Sequence, residues 1–272
     1  MSNPSHLELW SEITESILHP PFEWCHVDGG SVVLQEATQE GGTKGGTFQV
    51  SDFAIAKYPI TNAQYERFLQ NSNGFSNPRW WEYSSEAIQW RKDHNNPRPT
   101  AFSGSDLPRT RASWFDSMAF CLWLSVELKS QIQREELFSA KAMSEYKIRL
   151  PTEQEWQRAA LGDTGWCYPW GNLIDHMYGN YGNNIGQPNN VKKYSKGKSK
   201  YGVMNMVGNV WEWCLTGWNQ ESLDLSGYTY RVIKGGAWNI NNPDHLRAND
   251  RGCHPPRGTL NDCGFRVLLC PE

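Results

Sequence analysis

The sequence lacks the features of a membrane protein or a nucleic-acid-binding protein. No stretch approaches the ~18 consecutive apolar residues of a transmembrane helix. Residues 1–20 carry acidic side chains where a signal peptide would have a basic start and an apolar run. Lys plus Arg number 26 and Asp plus Glu 29, a net charge of −3 without a basic stripe. We therefore expect neither a nucleic-acid partner nor a membrane partner.

Cysteine forms no recognisable pattern. The seven cysteines are an odd number at scattered spacing, and no CxxC pair occurs. This usage disfavours a disulfide-bonded secreted scaffold, so we expect a cytoplasmic protein. Zinc-binding spacings, glycine-rich phosphate loops and catalytic-triad motifs are also lacking.

Aromatic residues, glycine and proline are abundant instead. The 272 residues include 14 Trp, 11 Tyr, 10 Phe, 24 Gly and 15 Pro. The mean hydropathy is −0.67. This composition predicts a core of aromatic side chains, much irregular backbone and few long helices.

Local patterns predict four helices and several short strands. The first helix covers 6–18, and the third begins near Ser113. The second begins at Thr61 and the fourth at Thr152, because each of these residues has Gln or Glu three positions later, as in a capping box. The fourth should end at Gly162. Strands are expected at 31–35, 47–57, 146–150, 229–234 and 264–269, with a Gly-rich linker over 41–46 and long loops over 73–110 and 163–228.

Seven short strings resemble one protein superfamily, and they occur in its order. They are FAIAKYPITNAQY (53–65), ASWFD (112–116), RLPTEQEW (149–156), YPWGN (168–172), GNVWEWC (208–214), RVIKGGAW (231–238) and GFRV (264–267). The set resembles the sulfatase-modifying-factor, or formylglycine-generating-enzyme-like, superfamily. The resemblance implies an α+β, C-type-lectin-like fold of the formylglycine-generating-enzyme type, with small twisted antiparallel sheets. It implies a single domain over 1–272, with an N-terminal helix and lead-in strand over 1–46 and the family core over 47–270.

The catalytic cysteine pair of that superfamily is missing. Aligned without a gap, the two cysteine positions fall on Ile240 and His245, and an alkyl side chain cannot ligate Cu(I). We therefore expect no copper and no formylglycine-generating activity. The related ergothioneine-type sulfoxide synthases use three iron-binding histidines on a helical domain, whereas the seven histidines here form no His-x3-His pair.

One calcium motif of the superfamily is present. The resemblance implies side-chain oxygens from Asn205 and Glu212 and carbonyl oxygens from Gly208 and Val210, a ligand set that suits a hard cation. We predict calcium at this loop. The alternatives are that the loop keeps its shape with water, or that Glu212 pairs with an arginine.

The C-terminal segment between Trp238 and Gly264 is polar and resembles a hypervariable region. In a subset of the superfamily, retroelements rewrite asparagine codons here while the scaffold tolerates the changes. Leu246, Arg247 and Arg251 are expected to belong to the scaffold. The predicted ligand-binding residues are Asn239, Ile240, Asn241, His245, Asn249, Asp250, Gly252, Cys253, His254, Arg257, Leu260, Asn261 and Asp262.

Three functions follow from these observations. The first is a non-catalytic ligand-binding protein that recognises another protein, or another macromolecule, through the polar C-terminal segment. The second is a metal- or oxygen-dependent modifying enzyme whose active site has moved. The third is a structural accessory protein without a small-molecule site.

Overall fold

The structure, a computed structural model, describes residues 4–35, 45–134, 146–218 and 223–271. Most of the predicted linker over 41–46 lies outside these ranges. Within them the chain forms five α-helices and ten strands, the mixed architecture that the sequence predicts. Among these residues, no helix combines the length and the apolar character that a bilayer crossing requires. The helices are α1 (Pro4–Leu18), α2 (Asn62–Gln70), α3 (Ser85–Asp93), α4 (Trp114–Arg134) and α5 (Glu153–Leu161).

Both predicted capping boxes are confirmed. The Thr61 side chain accepts a hydrogen bond from the Gln64 backbone N–H, and the Gln64 side-chain oxygen accepts one from the Thr61 N–H. Thr152 and Glu155 make the same reciprocal pair at the start of α5. Two free N–H groups are thus satisfied at each helix start. Gly162 ends α5 with φ +61°, where a residue with a Cβ would be strained.

Three small sheets carry the rest of the fold. The first, in the order β1-β4-β10-β5, is antiparallel throughout. The second is the hairpin of β2 and β3. The third has the order β8-β7-β6-β9, with β9 parallel to β6. The strands are β1 (Trp24–Val27), β2 (Gly30–Leu34), β3 (Gly46–Val50), β4 (Phe53–Ala56), β5 (Tyr146–Arg149), β6 (Trp211–Gly217), β7 (Arg231–Lys234), β8 (Gly252–His254), β9 (Cys263–Gly264) and β10 (Leu268–Pro271).

Aromatic side chains fill the core, as the composition predicts. Phe120 packs edge-to-face against Phe265 at a centroid distance of 5.3 Å, which joins α4 to the C-terminal segment. The Trp114 indole donates to the carbonyl of Cys214 at 2.9 Å, and the Trp213 indole to the carbonyl of Ala112 at 3.1 Å. These reciprocal bonds fix β6 against the start of α4 while both rings remain buried.

The structure corrects several predicted elements. The predicted strand over 47–57 is two strands, β3 and β4, in different sheets. The predicted strand over 264–269 is likewise divided between β9 and β10. The loop over 73–110 contains α3 and a short 3₁₀ helix, and the loop over 163–228 contains β6. All seven residues of β6 are buried, so the strand shows no alternation of polar and apolar residues that could have revealed it.

Candidate binding surface

The segment between β7 and β9 begins at a tight double-glycine turn. Gly235 and Gly236 have φ values of +92° and +72°. A Cβ on Gly236 would lie 2.5 Å from the Leu246 side chain, and one on Gly235 would lie 3.0 Å from the Trp156 ring. Only glycine fits both the conformation and the space, so the turn fixes the direction in which the segment leaves the sheet.

Backbone hydrogen bonds hold this segment to loops from elsewhere in the chain. The carbonyls of Trp238 and Ile240 accept from the N–H groups of Asn183 and Gly182 at 2.7 and 2.8 Å. The carbonyl of Leu260 accepts from the Arg111 N–H at 2.9 Å. The main chain of the segment is therefore fixed independently of the side chains that it presents.

None of the thirteen predicted ligand-binding residues is buried. Nine of them are half-buried, and Asn241, His245, Arg257 and Asn261 are exposed. In contrast, Leu246 and Ala248 in the same segment are fully buried. Exposed and buried positions thus alternate within one irregular stretch.

The structure brings some of these residues together in pairs. The Asn239 amide donates to Asp262 Oδ2 at 3.0 Å, across the base of the segment. His245 Nδ1 lies 3.2 Å from Asp250 Oδ2. The Arg257 guanidinium stacks over the exposed Tyr228 ring at 3.7 Å, which places Tyr228 beside the predicted set.

Among the described residues, two buried polar atoms on neighbouring residues have no hydrogen-bond partner. They are Trp238 Nε1 and Asn239 Oδ1. Trp238 is half-buried, and its ring meets Phe102 edge-to-face at 5.8 Å. Both atoms are shielded from solvent, so a ligand on the surface reaches them only if these two side chains move.

A buried network of ion pairs connects the segment to helix α5. Arg251 Nη2 donates to Glu153 Oε2 at 2.6 Å, and Lys234 Nζ lies 3.5 Å from Glu153 Oε1. Glu153 and Lys234 are fully buried. Burial lowers the pKa of Lys234, because its ammonium group has lost contact with water, although Glu153 opposes the shift.

Arg251 is therefore buried and paired with a carboxylate, as suits a residue that is expected to belong to the scaffold. Sequence reasoning did not assign a role to Glu153, the partner of Arg251. Glu153 lies in the RLPTEQEW string, where the capping box draws attention to Glu155 instead. No signal in the sequence marks Glu153 as the partner of a residue 98 positions away.

At the predicted calcium loop, Glu212 faces arginine. Its carboxylate accepts from Arg266 at 2.6 Å on each oxygen and from the Trp156 indole at 2.7 Å. The Asn205 amide donates to the carbonyl of Val191 at 2.6 Å, and its oxygen accepts from the Asn209 amide at 3.1 Å. The positive charge beside Glu212 does not favour a cation there, and these side chains fit the arginine alternative better. Calcium binding by Asn205, Gly208, Val210 and Glu212 stays a prediction.

The two positions of the missing cysteine pair lie at the surface. Ile240 is half-buried and His245 exposed. Cys253 is half-buried, and burial raises the pKa of its thiol, so the thiolate is disfavoured. Across the four described ranges, no three His, Cys, Asp or Glu side chains are grouped in a way that could hold a metal ion.

Comparison with known proteins identifies close relatives of this arrangement. A family model of the sulfatase-modifying factor enzyme 1-like domain matches residues 15–270. Hercynine oxygenase of Mycobacterium tuberculosis is 30% identical over 226 residues, which cover 76% of this chain and 50% of the relative. The mouse inactive C-alpha-formylglycine-generating enzyme 2 is 25% identical over 304 residues, covering 89% and 83%. The chain thus spans about half the length of the hercynine oxygenase.

Solved structures confirm the predicted fold. Treponema denticola variable protein 1 superposes with a TM-score of 0.65 at 22% identity, covering 92% of this chain and 95% of the other. PvdO from Pseudomonas aeruginosa superposes with a TM-score of 0.60 at 18% identity, covering 91% and 94%. The fold is the C-type-lectin-like α+β fold of the formylglycine-generating-enzyme type. The chain belongs to the sulfatase-modifying factor enzyme 1-like family.

Proposed function

We propose that this protein is a non-catalytic binding protein that recognises another protein through the segment 239–262. The observation that carries the proposal is that this segment combines buried residues with residues whose side chains reach the surface. All thirteen predicted contact residues are exposed or half-buried, while Leu246, Ala248 and Arg251 are buried and attach the segment to the core. A recognition surface of this kind can change its side chains without losing its frame.

The chemistry of the surface favours a protein ligand. It offers amide, carboxylate, imidazole and guanidinium groups, with Tyr228 and Trp238 at its margins. Tyr, Trp and Arg are the side chains that most often dominate protein interfaces, and Asn supplies adaptable hydrogen bonds.

Two relatives support this proposal by name. One is described as an inactive formylglycine-generating enzyme, and the structural neighbour from Treponema denticola is described as a variable protein. Diversification of the segment 239–262 by a retroelement is part of the proposal. A cytoplasmic location is a further part of the proposal, and the seven free thiols support it.

Sequencing the 3′ coding segment of this gene in a natural population tests the proposal. We expect substitutions to concentrate at the thirteen surface positions and to spare Leu246, Ala248 and Arg251. A reverse-transcriptase gene and a near-copy of the segment should lie nearby. Substitutions spread evenly over the gene, or none at all in the segment, would contradict the diversified reading.

A display library provides the biochemical test. The thirteen surface positions are randomised on the intact chain, and a matched library randomises the buried positions Leu246, Ala248, Arg251 and Cys263. We expect the first library to stay largely folded and to yield binders to unrelated test proteins, and the second to lose folded protein. Loss of folding in both libraries would overturn the proposal.

The second candidate function is a metal- or oxygen-dependent modifying enzyme with a relocated active site. The similarity to hercynine oxygenase is the observation that favours it. An oxygen-uptake assay distinguishes the modifying enzyme from the binding protein. The protein is supplied with iron(II) or copper(I) and a cysteine-containing peptide. We expect neither metal-dependent uptake nor conversion of the peptide, because Ile240 and His245 replace the thiol pair.

A further inference from the structure

A separate groove lies between α4 and β5, outside the candidate binding surface. Its volume is about 570 Å³, within the range typical of small-molecule sites. The 3₁₀ helix Pro78–Trp81 and the side chains of Leu223 and Leu225 complete its walls. None of the thirteen predicted contact residues lines this groove.

The floor of the groove is apolar because one face of α4 is not fully covered. Met118, Leu122 and Val126 follow one another at intervals of four residues, so they form a single stripe along the helix. Leu122 and Val126 are only half-buried. Ile148 of β5 lies beside this stripe, and Leu223, which is 52% exposed, adds a further apolar wall. The groove thus presents apolar surface that the fold leaves open to solvent.

Among the described residues, the charged residues that line the groove are all basic. They are Arg79, Lys129, Lys147 and Arg149, and within the described part of the chain neither Asp nor Glu lines it. Arg149 already binds Glu155 with two hydrogen bonds of 2.7 Å. Arg79 stacks over Trp80 at 3.9 Å, and both Arg79 and Lys147 are exposed. Within the described ranges no carboxylate forms an ion pair with either of these two cations.

We propose that this groove binds a long-chain carboxylic acid. The apolar stripe suits an alkyl chain, and the exposed cations of Arg79 and Lys147 suit an anionic head group. From Met118 to Lys129 the helix rises ~16 Å, which leaves room for a medium to long acyl chain lying along α4. A ligand of this class would cover the exposed apolar surface and place a negative charge beside Arg79 and Lys147.

Fluorescence titration of the full chain tests the proposal with a dansyl-labelled undecanoic acid. The methyl ester of the same probe lacks the charge and serves as the chemical control. We expect saturable binding of the acid, at least about fivefold tighter than the ester at low salt. Equal affinity for acid and ester, or binding of the acid only as micelles, would overturn the proposal.

Variants identify the groove as the site. Arg79→Glu combined with Lys147→Glu should weaken binding of the acid at least about tenfold and that of the ester much less. Val126→Asp should abolish binding of both probes, while circular dichroism verifies that the fold is kept. Lys198→Glu, an exposed lysine outside the groove, is the matched control and should change neither affinity.

Three outcomes would contradict a fatty-acid site. Unchanged affinity for the acid in the Arg79→Glu, Lys147→Glu double variant would show that these two cations do not bind the head group. Acid binding that survives Val126→Asp would show that the alkyl chain does not lie on the apolar stripe of α4. Association with anionic vesicles together with no affinity for the monomeric acid would identify a membrane surface instead.

Discussion

The polar residues of the C-terminal region fall into two groups that differ in what surrounds them. Arg251 and Arg266 are buried and bind Glu153 and Glu212 inside the protein. A few residues away, Arg247 and Asp244 form an ion pair of similar length, 2.8 Å, with 46% and 66% of their side chains exposed. Burial therefore decides which polar residues hold the frame and which can be exchanged. Charge and sequence position alone do not separate the two groups.

The largest effect should come from the core residue that joins the segment to α4. Phe265 is fully buried and packs against Phe120 and Tyr65. Phe265→Ala should cost about 3–5 kcal/mol of unfolding free energy, because it removes this packing and leaves a cavity. Chemical denaturation measures the loss.

Trp238→Ala tests the same distinction between buried and half-buried residues. Trp238 is only half-buried, whereas Phe265 is fully buried. We therefore expect a smaller cost than for Phe265→Ala, about 2 kcal/mol. Equal costs for the two variants would mean that Trp238 belongs to the frame.

The buried ion pair should give an effect between those of Phe265→Ala and Trp238→Ala. Arg251→Met should cost about 3 kcal/mol, at the lower end for a broken buried pair, because Lys234 still compensates Glu153. Adding Lys234→Met should cost more, since Glu153 then loses both cations. Arg247→Met is the exposed control and should stay within about 0.5 kcal/mol. A comparable loss for Arg247→Met and Arg251→Met would remove the distinction between the two groups.

Substitutions of the surface itself should have small effects. Asp250→Ala, His254→Ala and Asp262→Ala each alter a half-buried residue of the candidate surface and should stay within about 0.5 kcal/mol. Denaturation curves of the three variants, recorded beside Phe265→Ala, measure this. If any of the three approaches the cost of Phe265→Ala, that position belongs to the frame and the proposed surface shrinks accordingly.

Chelation should have the smallest effect. Because Arg266 already balances the charge of Glu212, we expect a chelator to lower the melting temperature by less than about 1 °C. A calcium ion at a concentration of about 100 times its dissociation constant would instead stabilise the fold by about 2.7 kcal/mol. A drop of several degrees that calcium reverses and magnesium does not would establish the predicted calcium site.

Sequence patterns predicted the elements whose signals are local. The capping boxes at Thr61 and Thr152 consist of hydrogen bonds between residues three positions apart. The local sequence is therefore enough to predict each of them. The strand β6 was missed because it is buried on both faces and has no period-two pattern. The ordered strings supplied the family and therefore the fold. The partner of Arg251 could not be found, since Glu153 becomes its neighbour only when α5 packs beside the third sheet.

The position of strand β10 determines what happens to products that are truncated before it. Strand β10 follows the candidate surface in the chain, and it pairs with both β4 and β5 within the first sheet. A premature stop codon anywhere in 239–262 would remove β10 together with Phe265 and Arg266. Such a product would expose two unpaired strand edges and an unfilled core, and cellular proteases would degrade it. A folded molecule therefore shows that translation continued through the whole segment 239–262 and on to β10.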